Sequence, residues 1–359
     1  MDLVKPAANG GPDVTVVMSP RERFSGTLQS IASLYENAGT PFAFVCVDGG
    51  SPRSVRRPLA EACRQRGARL IRTDHYLTPN EARNLGLREV TTTYVAFVDN
   101  DVEFAPGWLA ALRQCAEETG ADLVTPVICI GEPAHSCIHF AGGHARIVVE
   151  GGQRVFREAQ KFLDQSLSDV RDGLVRETSE LVEFHCVLAR RDVFDRFGPL
   201  DENFTSMNEH VDLALTVRAG GGRVMFEPNS VVTYAIDTRP RLSDLPYFFC
   251  RWCDEWSVAS ELHFDKKWGT TFNVGVPEFV KHHRRKAWAS LRRSAQMVVG
   301  WRRSYLLYDR VAAGFGRLGR RRRERALARA ARRRQSSAAR LLRDPLRDAA
   351  QSPRRSQET

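Results

Sequence analysis

The chain has 359 residues, of which 42% are hydrophobic and 27% charged; these are globular proportions, and they exclude collagen-like, fully disordered and multi-span membrane chains. Its net charge of +10 is unevenly placed: residues 281–359 hold 24 basic and 5 acidic side chains, a charge of +19, which leaves −9 for residues 1–280. No run approaches the roughly 20 apolar residues that span a bilayer, and residues 1–13 lack the apolar centre of a signal peptide, so the expected compartment is the cytosol.

After a flexible stretch over residues 1–12, the segment 14–18 reads as a buried strand. A helix follows, with Leu28, Ile31, Ala32 and Tyr35 on one face and Gly39 as its stop. Residues 42–47 form a second apolar run that ends on Asp48, Gly49, Gly50 and Ser51. Strand-like segments at 69–72 and 94–98 flank a helical segment at 80–88, and the second of them ends on Asp99, Asn100 and Asp101. The next helix carries Trp108, Leu109, Leu112, Cys115 and Ala116 on one face and stops at Gly120, ahead of a strand at 122–128. Short apolar strands alternating with amphipathic helices predict an α/β fold with a mainly parallel sheet covered on both faces. Ligands of such sheets bind beyond the carboxyl ends of the strands. Asp48, Asp99 and Asp101 all fall at such ends. Each alone would serve as a turn former, and three on one rim point to function.

Eight cysteines lie between residues 46 and 253 with no framework spacing, as reduced thiols do. Cys250 and Cys253 form a lone Cys-x-x-Cys among Phe248, Phe249, Trp252 and Trp256, which reads as core packing. His135, His139 and His144, with Cys129 and Cys137, fit no common zinc spacing. Asp99 and Asp101 are different: two carboxylates two residues apart can converge on a hard divalent ion and leave positions for phosphate oxygens.

Several ordered motifs between about Val14 and Tyr234 resemble the inverting GT-A glycosyltransferases of family 2. Val47-Asp48-Gly49-Gly50-Ser51 is similar to the family's V-D-D-G-S, and Asn80-Glu-Ala-Arg83-Asn84-Leu-Gly86 to its G-x-x-x-A-R-N-x-G. The stretch from Tyr94 to Asp101, with Pro106-Gly-Trp-Leu109, matches Y-x-x-F-L-D-x-D and P-x-W-L. Phe140-Ala-Gly142-Gly143 resembles a glycine-rich loop on the acceptor side, and residues 190–213 resemble R-R-x-x-F-x-x-x-G-x-F-D-E-x-F followed by E-D-x-D-L. The resemblance implies a GT-A domain over 13–265 that binds a nucleotide-sugar through Ser19, Asp48, Arg83, Asp99 and Asn100. It also implies Mn²⁺ or Mg²⁺ held by Asp101 with Asp99.

Two departures from the pattern matter. Glu209-His210 stands where the family has Glu-Asp, and Tyr234 stands where it often has a metal-binding histidine. His263, ahead of Trp268, is the expected substitute ligand. Asn208 as N-cap would set His210 in the first turn of a helix, whose positive end opposes imidazolium formation and favours a neutral base. His210 or Glu209 is therefore the expected catalytic base.

The chain is expected to continue as a helical extension over 266–316 and an Arg-rich, largely disordered tail over 317–359, with an Ala/Arg helix possible at 324–343. Trp301, Tyr305, Tyr308 and Ala312 recur at helical spacing among Arg293, Arg302, Arg303 and Arg310. A basic aromatic helix of this kind suits either an anionic membrane surface or packing on the catalytic domain. The expected activity is metal-assisted transfer of a sugar from a UDP-sugar to a hydroxyl of a glycan, lipid-linked glycan or small molecule, with inversion. The expected place is the cytoplasm or the inner membrane face, and nucleic acid is not an expected partner. The rival readings are a degenerate nucleotide-sugar or glycan binder, motivated by His210 and Tyr234, and an anion-surface adaptor acting through the tail.

Overall fold

The computed structural model describes residues 11–234, 241–271, 280–284, 296–297 and 300–350. The expected flexible start falls mostly on residues 1–10, and Arg293 and the side chains of Trp301 and Arg302 likewise lie outside the described set. In chain order the elements are β1 (Val14–Ser19), α1 (Thr27–Asn37), β2 (Ala43–Gly49), α2 (Arg53–Gln65), β3 (Arg69–Thr73), α3 (Pro79–Leu87), β4 (Tyr94–Asp99), β5 (Val102–Phe104), α4 (Trp108–Thr119) and β6 (Leu123–Ile130). There follow β7 (Ile138–Phe140), β8 (Gly143–Glu150), β9 (Gln153–Gln160), α5 (Leu167–Val170), β10 (Glu177–Thr178), β11 (Cys186–Arg190), α6 (Val193–Phe197), α7 (Glu209–Ala219) and β12 (Val224–Tyr234). Helices α8 (Leu245–Arg251), α9 (Asp254–Trp268) and α10 (Trp301–Ala350) complete the description.

Eight strands run across the main sheet in the order β10-β12-β6-β11-β4-β1-β2-β3, with β5 added on β12 and β7 on β6. Strands β3, β2, β1 and β4 are mutually parallel, β6 and β12 are parallel to each other, and β11 is antiparallel to both β4 and β6. The sheet is therefore mainly parallel, as expected. Alternation along β1 explains the layers: Val14, Val16 and Met18 pack with Ile31 and Leu34 of α1 and Leu109 and Leu112 of α4, whereas Val17 packs with Ala82 of α3 and Ala214 and Val217 of α7. Helix α3 approaches β1 closely because residue 86 is glycine; a Cβ there would lie 2.2 Å from Val17 Cγ1.

All eight cysteines are free thiols. Cys250 and Cys253 are buried, and burial pushes both thiols above their usual range, as befits packed hydrophobes rather than reactive groups.

Helix α10 runs to Ala350, past residue 317, where the sequence reading places the start of a largely disordered tail. Its Ala-, Leu- and Arg-rich composition favours helix, and a stripe of Tyr308, Ala312, Gly316 and Gly319 docks it on α8. A Cβ at Gly319 would meet Cys250 Cβ at 2.7 Å and the Pro246 carbonyl oxygen at 2.8 Å. We expect Gly319→Leu to lower stability by about 1–3 kcal/mol and to make α10 protease-sensitive. Thermal melts and limited proteolysis read this out, and unchanged melting and digestion would show that the glycine face is not needed for docking.

Candidate active site

The carboxyl ends of β1, β2 and β4 form one rim, where Ser19 is the register neighbour of Asp99. Asp48, at the end of β2, accepts hydrogen bonds from the Ser51 amide at 2.8 Å and the Ser51 hydroxyl at 2.8 Å. It also pairs with Arg72 of β3. The carboxylate is thereby fixed in orientation before any ligand arrives.

Asp99 is fully buried. Its oxygens lie 3.4 Å from Arg83 Nη2, 3.5 Å from Arg21 Nη1 and 3.2 Å from His185 Nδ1. Burial works against its charge, but His185, Arg21 and Arg83 outweigh burial and hold the carboxyl below its ordinary range. Asn100 braces the loop after β1: its oxygen accepts from the Arg21 amide at 3.0 Å, and its nitrogen donates to the Arg23 carbonyl at 2.5 Å and Thr27 Oγ1 at 2.8 Å. Its amide is engaged inside the protein, whereas the sequence reading has it on the nucleotide-sugar. The Ser19 carbonyl accepts from the Asn100 amide at 3.0 Å.

Asp101 has the opposite environment. It is 4% exposed, and neither carboxylate oxygen has a hydrogen-bond partner among the described residues. Burial first, then Asp99 and Glu22, push its pKa up to about 8 against the opposing Arg23 and Arg21. A buried carboxylate with two uncommitted oxygens beside a neutralised one is the donor set of a hard cation that completes its shell with phosphate oxygens. The residues present thus fit Mn²⁺ or Mg²⁺.

His263 does not join them. Its Nε2 lies 2.8 Å from Asp201 Oδ2 and its ring meets Phe204 edge-on at 4.9 Å. Among the described residues no group of three or more His, Cys, Asp and Glu has metal-holding geometry. The expected substitution fails because α9 fixes His263 on Asp201. Tyr234 pairs in register with Val102, the residue after Asp101, so it does stand beside the carboxylates. Its hydroxyl donates to Glu22 at 2.6 Å and its ring stacks on His185 at 4.5 Å. Trp252 Nε1 and His283 Nε2 reach the other Glu22 oxygen at 3.0 and 2.9 Å.

The two candidate bases differ in setting. Asn208 precedes α7 with φ +64°, but its side chain donates to Glu261 at 2.7 Å instead of capping the helix. Glu209 is buried, with Oε1 3.3 Å from Arg251 Nη2 and 3.7 Å from Arg83 Nη1. It works as the counter-ion of two buried arginines, and Arg83 itself stacks over Phe184 at 3.7 Å. His210 is partly exposed, with Nε2 3.4 Å from Glu183 Oε1. Burial raises the Glu183 pKa, but His210, His185 and His139 outweigh it and hold the carboxyl below its usual range. His139 meets His185 edge-on at 5.8 Å, and burial, with His185, Arg21 and His210, depresses it to about 4 against the pull of Glu183.

Gly142 and Gly143 serve the backbone. Gly142 has φ +76°, and a Cβ on Gly143 would sit 2.7 Å from the Ala159 carbonyl oxygen across the β8–β9 hairpin. Glu22, Glu183 and His185 escape the sequence reading. For the last two the signal is visible in Leu181-Val-Glu-Phe-His-Cys-Val-Leu188, where two polar side chains interrupt a buried apolar run.

This fold, with a carboxylate rim at the parallel strand ends, is of the GT-A type. Residues 15–134 match the Glycosyl transferase family 2 model. It is 29% identical over 248 residues to "Pre-mycofactocin glycosyltransferase" of Mycobacterium tuberculosis, covering 67% of this chain and 47% of that protein. It is also 25% identical over 234 residues to "Uncharacterized protein y4gI" of Sinorhizobium fredii, covering 61% of this chain and 24% of that one. The chain thus spans about half the length or less of the curated relatives it matches. Among solved structures, the crystal structure of GalNAc-T7 with UDP, GalNAc and Mn²⁺ has a TM-score of 0.50 at 14% identity, covering 77% of this chain and 55% of that one; the likeness is one of fold.

Proposed function

We propose that the protein is a glycosyltransferase that moves a hexose from a nucleotide-diphospho-sugar, a UDP-sugar, to an acceptor hydroxyl with inversion. The observation that carries this reading is the buried, unpartnered Asp101 carboxylate beside the arginine- and histidine-neutralised Asp99 on the sheet rim. Asp101, with Asp99 adjacent, would hold Mn²⁺ or Mg²⁺, which when bound supplies Lewis-acid stabilisation of the departing diphosphate. Asp48 accepts the imide hydrogen of the base. Arg83 acts indirectly, by fixing Asp99 and Glu209. His210 Nε2–H faces Glu183, which leaves Nδ1 to take the acceptor proton as that oxygen attacks the sugar carbon opposite the diphosphate. His139 stays uncharged at neutral pH and offers the acceptor a hydrogen bond. Hydroxyls of glycans, lipid-linked glycans and small molecules all fit this chemistry.

The test is a panel of nucleotide-diphospho-sugars incubated with and without Mn²⁺, with release of nucleoside diphosphate as readout. We expect Mn²⁺-dependent consumption of a UDP-sugar. Nucleotide binding without consumption of any donor, even with a broad acceptor panel, would favour a degenerate binding protein. At the donor end, Asp48→Asn should raise the donor KM about 5- to 150-fold with little change in kcat, the effect of leaving a buried hydrogen-bonding group mismatched.

A further inference from the structure

Helix α10 has two apolar faces, and the structure accounts for one of them. The small-residue face is docked on α8, and beyond it Arg323 Nε donates to the Tyr76 carbonyl at 3.0 Å and pairs with Glu81 at the start of α3. Helix α8 in turn sits on the loop after β1, where the Tyr247 hydroxyl donates to the Pro20 carbonyl at 3.1 Å. Tyr76 and Pro20 both follow the carboxyl ends of strands, so α10 is fixed at the end of the sheet that carries Asp48, Asp99 and Asp101. The opposite face of the helix presents Leu306, Leu307, Val311 and Leu318, which are 63%, 46%, 43% and 41% exposed. The exposed guanidinium groups of Arg310, Arg317 and Arg321 lie among these side chains.

We infer that this outer face of α10 docks on an anionic lipid bilayer and holds the mouth of the site at the lipid–water boundary. Charge complementarity chooses the occupant: the face is basic, and its leucines have length enough to enter the acyl boundary while arginine stems snorkel to the headgroups. Exposed leucines between the arginines add nothing to binding a nucleic-acid backbone, which asks only for cations. No helix among the described residues is long and apolar enough to cross a membrane, so the contact is peripheral. The inference does not depend on the donor reading, because vesicle binding is measured without a donor.

The experiment is co-sedimentation of the full chain with phosphatidylcholine vesicles made with and without phosphatidylglycerol, beside a variant carrying Leu306→Ser, Leu307→Ser, Val311→Ser and Leu318→Ser. We expect binding to the anionic vesicles only, weakened by salt. The variant should bind about ten-fold or more weakly, with helix content and donor hydrolysis unchanged. Absence of vesicle binding, equal binding by the variant, a preference for RNA over anionic vesicles, or self-association of wild type that the variant loses would each overturn it.

Discussion

Asp101→Asn is expected to lower divalent-ion-dependent donor turnover by at least about 10²-fold, the size of effect seen when one preorganised electrostatic group is lost from a reaction centre. The same substitution should stabilise the ion-free protein at neutral and alkaline pH. Burial pushes the Asp101 carboxyl up from its ordinary value of 3.8 to about 8. A carboxyl shifted upward favours the folded state fully below the unfolded value, and that contribution is lost as pH rises towards 8. In the wild type, ion-free stability should therefore fall between about pH 4 and pH 8, whereas the asparagine variant lacks this component of the slope. The variant should melt on the order of 5 °C higher at pH 8 and no higher near pH 4. Mn²⁺ should raise the melting temperature of the wild type alone, since a ligand stabilises only the state it binds. Equal turnover, or equal Mn²⁺ stabilisation of both proteins, would remove Asp101 from the ion site.

His210→Ala should reduce sugar transfer to the acceptor by about 10²- to 10⁴-fold, the usual worth of a general base, while leaving donor binding intact. Glu183→Gln keeps the shape but removes the charge 3.4 Å from the imidazole. A positioning role predicts a smaller fall in kcat and a displaced pH profile, with the donor KM unchanged. Glu209→Gln separates the two candidate bases. Glu209 lies against Arg83 and Arg251, so this change should lower stability and disturb donor binding rather than leave a folded, donor-saturated enzyme that cannot deprotonate its acceptor. If Glu209→Gln binds donor and melts like wild type yet transfers nothing, the base is Glu209 and not His210.

Much of this was legible in the sequence because it depends on local pattern. The strands at 14–18, 42–47, 69–72 and 94–98 all appear within a residue or two of their predicted limits, since short apolar runs with turn residues at their ends have few alternatives. The carboxylate positions follow from those limits. What escaped depends on long-range contact. Glu22 meets Tyr234, Trp252 and His283, which lie more than two hundred residues away in the chain. Glu183, in the segment before β11, meets His210 of α7. The sequence marks His263 as the substitute for a missing ligand from its place ahead of Trp268, and α9 sends it to Asp201 instead. Packing of the Tyr308 and Ala312 face on the body of the protein is one of the two sequence expectations for this helix, but its partner α8 is not legible, because glycines at 316 and 319 read as helix weakeners until the facing backbone is seen.

The matching of buried cations to anions around the rim sets a condition on how substrate enters. Arg21 and Arg83 face Asp99, Arg83 and Arg251 face Glu209, and Glu22 is ringed by Tyr234, Trp252 and His283. These guanidinium groups are already balanced, so a bare nucleotide diphosphate would bring its negative charges towards Asp99, and towards Asp101 as that carboxyl loses its proton, with no counterweight from them. Donor and divalent ion should accordingly arrive as a single complex, and in chelator the affinity for UDP should collapse rather than merely decline.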